Sequence, residues 1–164
     1  MPAPILPRRS PTAMSQPSTG SAASRTPFVR PQPGGNAARR SPRHSSRVLL
    51  AFCETAERDL FANLLTRHGH AIDCCENGQE ALDRIAAQPF GLVVTGISMP
   101  RMDGLELIRV IYQRYPGLPV IAITKGTDRM DQVYQRSAMV SGASAAHSLP
   151  LNSDRFLVDV EQAL

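Results

Sequence analysis

The chain has 164 residues, enough for one domain of ordinary size and some additional length. Its net charge of +4 averages two unlike parts: the first 47 residues hold eight arginines and no acid, whereas the remaining 117 hold ten basic and fourteen acidic side chains. No apolar run approaches the length of a membrane span, so we predict no membrane contact and a cytoplasmic location.

Residues 1–46 are predicted to be a disordered tail. They are rich in arginine, proline and serine, and they hold too little apolar surface to offset the entropy lost on ordering. Prolines at positions 2, 4 and 7 argue against a secretory signal, while an organellar transit peptide and a true start at Met14 are alternatives. Because the tail has no acid, weak contact with a polyanion such as nucleic acid is an alternative function.

From residue 47 onward, five short apolar runs alternate with five longer segments of helical periodicity. Continuous apolar strands separated by helices are typical of a parallel sheet covered on both faces and joined by right-handed crossovers. The predicted strands are 47–52, 70–75, 92–95, 120–124 and 143–148, and the predicted helices are 55–69, 77–88, 105–115, 128–141 and 153–164. The sequence therefore predicts one α/β domain over residues 47–164, built from five β-α units.

Local signals predict where the helices begin and which faces they bury. Thr55 is a candidate N-cap for the first helix, Asn77 and Glu80 form a capping-box-like pair for the second, and Asp103 is typical of a helix start. The residues expected to face inward are Leu60, Leu64 and Leu65 in the first helix, Leu82, Ile85 and Ala86 in the second, and Phe156, Leu157, Val160 and Leu164 in the last.

The cysteine and histidine pattern does not indicate a metal or redox site. Cys53, Cys74 and Cys75 form no CxxC motif, so we interpret them as reduced thiols, and Cys74 and Cys75 should point to opposite faces of the sheet. His147 lies alone in a predicted strand, which is more typical of a satisfied core residue than of a ligand.

The body resembles the receiver domain of bacterial response regulators over residues 47–164. The most specific part is MPRMDG with its flanks, ISMPRMDGLELI (97–108). The other matching segments are RVLL (47–50), Arg58, HGHAIDCCENGQEAL (68–82), PVIAIT (119–124), and GA (142–143) followed by Pro150. The resemblance implies a flavodoxin-like parallel sheet with the strand order 2-1-3-4-5.

A working receiver of this kind presents charged residues at the ends of its strands. Two acids after the first strand help to hold Mg²⁺, an aspartate after the third accepts a phosphoryl group, and a hydroxyl and a lysine bind its oxygens. In this chain the acidic pair falls on Phe52 and Cys53 with Glu54 beside them, the acceptor on Gly96, the hydroxyl on Thr124 and the lysine on Leu149. The aromatic residue of the fifth strand falls on Ala146.

These losses agree with one another, because the positions that should carry both signs of charge are now apolar or small. We therefore interpret the pocket as neutralised as a unit and predict that Mg²⁺ binding is lost and that no other cofactor is used. Relief of like-charge strain should make the domain more stable than a charged receiver. We expect Phe52 to fill the space left at Gly96, with a small ligand in the vacated pocket as the alternative.

The resulting hypothesis is a pseudo-receiver, a phosphorylation-independent module of two-component signal transduction that acts by protein-protein interaction. Its expected partner is a signalling protein, either a histidine kinase or an output protein. We expect the contact at the face formed by the fourth helix, fifth strand and fifth helix, which the resembling proteins commonly use. The alternative that keeps phosphoryl chemistry uses Thr95 or Ser98 as a non-standard acceptor, although neither has an evident base. We predict no enzymatic activity.

Overall fold

A computed structural model describes residues 47–126 and 129–164. The predictions for the tail, 1–46, and for Asp128 lie outside the described residues. The described elements, in chain order, are β1 (Arg47–Ala51), α1 (Thr55–Arg67), β2 (Ala71–Cys75), α2 (Gly78–Ala87), β3 (Leu92–Gly96), α3 (Gly104–Arg114), β4 (Val120–Lys125), α4 (Arg129–Ser141), β5 (Ala145–Leu149) and α5 (Ser153–Ala163).

The five strands form one parallel sheet in the order β2-β1-β3-β4-β5, which confirms the predicted flavodoxin-like α/β fold. Strands β3 and β4 each extend one residue further than predicted. Gly96 is therefore the last residue of β3, where it pairs with Ile123, and Lys125 is the last residue of β4. Because parallel strands end at the same edge, both residues lie at the carboxyl edge of the sheet.

The sheet separates two apolar clusters, and alternate strand residues contribute to opposite faces. In β1, Leu49 belongs to the cluster with α2, α3 and α4, whereas Leu50 belongs to the cluster with α1 and α5. Cys75 and Cys74 contact these two clusters respectively, which confirms their predicted opposite directions. All three cysteines are free, and burial raises the pKa of the Cys75 thiol to about 12.

Two of the three predicted helix starts are confirmed. The side chain of Asn77 accepts a hydrogen bond from the Glu80 backbone amide at 3.0 Å, which caps α2. The Glu80 carboxylate accepts from the Asn77 side chain at 2.9 Å and from the Glu76 backbone amide at 3.3 Å, so the pair differs from a full capping box in its return bond. Asp103 accepts from the Glu106 amide at 2.8 Å. The Thr55 prediction was wrong: α1 has Glu54 at its N-cap position, and the Thr55 hydroxyl accepts a hydrogen bond from Arg58 instead.

The buried face of α1 differs from the predicted one by a small rotation. Glu57, Phe61 and Leu65 are its buried residues, whereas Leu60 is 48% exposed. The Phe61 ring stacks on Phe52 with a centroid separation of 4.9 Å, and this aromatic contact sets which side of the helix faces the sheet. Two other residues expected inward are also at the surface, namely Ala86 and Leu164.

Across residues 47–126 and 129–164, none of the helices combines the length and the apolar character needed to cross a membrane.

Candidate functional site

The six residues singled out by the sequence lie at or near the carboxyl edge of the sheet, and Phe52 and Gly96 are in direct contact there. Phe52 follows β1 and is 1% exposed. A Cβ atom placed on Gly96 would lie 3.2 Å from Cδ1 and 3.6 Å from Cε1 of the Phe52 ring. The ring therefore fills the space beside the missing side chain, as the sequence predicts.

The Phe52 ring is held there by an aromatic cluster. It stacks on Phe61 with an interplanar angle of 7°, and Phe61 in turn meets Phe156 edge-on at 5.3 Å. Leu149 is half-buried and packs against the same cluster. Of the positions that would be charged in the resembling receivers, Phe52 therefore belongs to the apolar core on the α1 and α5 side, and Leu149 packs against that core.

The polar groups at the other predicted positions are satisfied within the protein. The Cys53 thiol donates to the Ser98 carbonyl at 3.4 Å. The buried Thr124 hydroxyl donates to the His147 carbonyl at 3.2 Å, so it ties β4 to β5. Thr95, a predicted alternative acceptor, is also buried and donates to the Gly96 carbonyl at 2.9 Å. These contacts leave little hydrogen-bonding capacity directed at a ligand.

A cavity of about 40 Å³ remains at this edge. It holds a few water molecules at most, whereas sites for small organic ligands typically measure about 300 Å³ or more. Four of the six predicted residues line it together, and Glu54 and Leu149 do not. The lining residues with a direct bearing on the site are Phe52, Cys53, Glu57, Gly96, Thr124 and Lys125.

Lys125 is a charged residue at this edge that the sequence did not indicate. Its ammonium group lies 2.5 Å from Oε1 of Glu54 and 2.9 Å from Oε1 of Glu57. The interpretation that the edge has lost both signs of charge was therefore wrong, because a cation and two carboxylates are still present at neighbouring positions. The places of these residues in the chain could have indicated their ion pairs, since Lys125 ends β4, Glu54 and Glu57 lie at the start of α1, and both points lie at the same edge of a parallel sheet.

The three charges are unequally exposed. The Glu57 side chain is 10% exposed, while those of Lys125 and Glu54 are 42% and 61% exposed. Burial acts to lower the pKa of Lys125, but hydrogen bonds from its ammonium group to Glu54 and Glu57 outweigh this effect, and the pKa is raised. Lys125 is thus charged at neutral pH and compensates the buried Glu57 carboxylate.

The residues present do not fit the Mg²⁺ ion that the resemblance would imply. Within the described ranges, no group of three or more His, Cys, Asp or Glu side chains is placed to hold a metal ion. The carboxylates of Glu54 and Glu57 at this edge both bind the Lys125 ammonium group. A divalent cation would have to displace Lys125 and would find few oxygen ligands.

His147 is buried in β5, as expected for a core histidine. Its ring contacts Phe156 edge-on at 5.6 Å, and Nε2 lies 2.9 Å from Oδ2 of Asp159 in α5, although without the geometry of a hydrogen bond. Burial lowers the pKa of His147, and Asp159 offsets only part of this effect. The neutral form is therefore favoured near pH 7.

Comparison with known proteins identifies the family. Residues 53–159 match the response regulator receiver domain. The chain belongs to the response regulator receiver family. Among curated relatives of this receiver domain, CpdR of Brucella abortus is 36% identical over 78 residues, covering 48% of this chain and 65% of CpdR. FleR of Pseudomonas aeruginosa is 35% identical over 80 residues, covering 49% of this chain but only 17% of FleR.

Solved structures agree with this assignment. The receiver domain of NtrX from Brucella abortus is 30% identical, with a TM-score of 0.66 over 71% of this chain and 97% of that one. A CheY-like receiver from Methanospirillum hungatei, 24% identical with a TM-score of 0.64 over 73% of this chain and 93% of that one, shows the same fold. The chain is thus similar to the receiver portion of two-component response regulators, and it spans less than two thirds of either CpdR or FleR.

Proposed function

We propose that this receiver acts as a pseudo-receiver, a protein-interaction module of two-component signalling that phosphorylation does not switch. The observation that carries the proposal is the contact between Phe52 and Gly96. Gly96 stands where the resemblance puts the phosphoryl acceptor, and it offers no nucleophilic atom. An apolar ring fills the adjacent space, so an incoming phosphoryl group would meet carbon rather than carboxylate and metal.

The surrounding residues support the same proposal. Leu149 stands where the resemblance puts the lysine that would bind phosphoryl oxygens, and its half-buried side chain packs against the core. Thr95 is buried with its hydroxyl already donating, and a hydroxyl nucleophile such as that of Ser98 would require a base and usually a metal. The proposal therefore includes the absence of Mg²⁺ binding and of enzymatic activity.

The proposed partner is a signalling protein, either a histidine kinase or an output protein. The face expected for this contact is formed by α4, β5 and α5, and both of these helices carry exposed apolar side chains. Val140 is 89% exposed, Met130 and Val133 are each more than half exposed, and Val158 of α5 is 53% exposed. Such residues favour contact with another protein over contact with water.

The proposal is tested by recording the amide NMR spectrum of the full-length chain before and after addition of a small-molecule phosphodonor with Mg²⁺. Signals from residues around Gly96 and Thr124 should not move, because no covalent adduct forms and no metal binds. The matched control is the phosphodonor without Mg²⁺, which corrects for changes in ionic strength. Displacement of these signals only when both reagents are present would overturn the proposal.

A further inference from the structure

Lys125 is the one lysine in the 164-residue chain, and every other one of the 18 basic side chains is arginine. It stands at the last position of β4, at the edge where the resemblance puts the phosphorylation site. A lysine ammonium group is a compact point charge with three donors, so it can serve two carboxylates from different directions at once. Its contacts with Glu54 and Glu57 use this capacity.

The ion pair connects elements that are not neighbours in the sheet. Strand β3 lies between β1 and β4, and the two carboxylates come from the start of α1, which follows β1. Glu57, Gly96 and Lys125 line the same small cavity. The lysine side chain therefore reaches past the end of β3, where Gly96 presents no side chain of its own.

The burial of Glu57 makes this contact more than a surface ion pair. A carboxylate that is nine-tenths buried is costly unless an opposite charge and hydrogen bonds compensate it. Lys125 is the partner that lies 2.9 Å away. Glu54 is mostly exposed, so water screens its share of the interaction and it should contribute less.

We propose that Lys125, Glu54 and Glu57 form a built-in ionic clasp that holds the end of β4 against the first turn of α1. The Lys125 ammonium group is the cation that holds these two segments in one position. Neither a metal ion nor a phosphoryl group is needed to hold them there. Because α4 begins at Arg129, four residues after Lys125, the clasp also fixes the point from which the chain leads into α4. This inference goes beyond the proposed function, which states only that phosphorylation does not switch the domain.

The test compares full-length natural protein with Lys125→Met, Glu57→Gln and the double variant by urea unfolding. Lys125→Met should lower the unfolding midpoint because it leaves the Glu57 carboxylate buried without its cation. Glu57→Gln should lower the midpoint of the natural protein but raise that of the Lys125→Met protein, because it removes the uncompensated charge. The exposed acid Glu106 on α3 provides the matched control. Glu106→Gln should leave the unfolding midpoint unchanged in both the natural and the Lys125→Met protein.

Amide hydrogen exchange on the same proteins shows which elements lose stability when the clasp is removed. In Lys125→Met, exchange at the end of β4 and in the first turns of α1 and α4 should accelerate by about tenfold relative to β2. The proposal would be overturned if amide exchange accelerated equally in every element. It would also be overturned if Glu57→Gln shifted the urea midpoint in the same direction with and without Lys125→Met. No phosphodonor enters this experiment, so its failure would leave the proposed function untouched.

Discussion

The Phe52 ring lies so close to Gly96 that a Cβ atom on the glycine would approach it to 3.2 Å. Neither residue can therefore be changed without consequence for the other. Restoring an acid at position 96 alone would place a carboxylate against an aromatic ring in a cavity of about 40 Å³. This contact explains in physical terms why the chain resembles a receiver in fold while its acceptor position has no room for the usual side chain.

The first prediction concerns the coupling between these two residues. Gly96→Ala should destabilise the natural protein by about 1 kcal/mol, because the added methyl group crowds a ring that stacking holds in place. In a Phe52→Leu background, where the aromatic edge is gone, the same substitution should cost less. Urea unfolding of the four proteins gives the coupling energy, expected at about 0.5 kcal/mol or more. Strict additivity would show that the crowding is absent.

The second prediction concerns Lys125 at alkaline pH. Burial lowers the pKa of Lys125, but hydrogen bonds to Glu54 and Glu57 outweigh this and raise it above the ordinary 10.5. The clasp should therefore stabilise the fold fully below pH 10.5, and this contribution should be lost as the pH rises through the raised pKa. The urea midpoint of the natural protein, minus that of Lys125→Met, should fall over this range. A difference that stays constant to the highest pH would contradict the prediction.

The third prediction concerns stability at acid pH and two histidines, the buried His147 and the partly buried His70. Burial lowers the pKa of His70 and of His147 below 6.5, with Glu161 and Asp159 offsetting part of the effect. The unfolded chain then binds more protons than the folded one, so stability should fall as the pH drops below about 6.5. His147→Gln should flatten this part of the profile. Thermal unfolding of both proteins from pH 7.5 to 5 measures it, and identical profiles would argue against a role for His147.

The fourth prediction concerns thiol reactivity. Cys75 is buried and its pKa is raised to about 12, so almost none of it is thiolate at pH 8. Cys53 is more accessible and should react first with an alkylating reagent in the native protein. Peptide mass mapping after brief labelling gives the ratio of alkylated Cys53 to alkylated Cys75. Fully unfolded protein provides the control, in which both cysteines should react. Labelling of Cys75 as fast as Cys53 under native conditions would contradict the burial described for it.

The fold could be predicted because β1, β3 and β4 are buried almost throughout and appear as continuous apolar runs, while helical periodicity separates all five strands. Which residues of a helix are buried, and which charged side chains pair, depends on tertiary contacts that the periodicity of the sequence does not reveal. Leu60 and Phe61 are adjacent and both fit a helical stripe, and only stacking against Phe52 determines that Phe61 faces inward. Pairing between residues 54, 57 and 125 depends on the strand order as well as on the sequence. Matching each position to the resembling family therefore located the lost charges but not the new cation.

The central claim is that the natural chain accepts no phosphoryl group, and intact-mass measurement tests it most directly. The full-length protein is incubated with a small-molecule phosphodonor and Mg²⁺ beside a variant carrying Phe52→Asp, Cys53→Asp, Gly96→Asp and Leu149→Lys. We predict that the variant gains the mass of a phosphoryl group and that the natural protein does not. A phosphoryl adduct on the natural protein would contradict the claim, and mapping the modified residue would identify the acceptor.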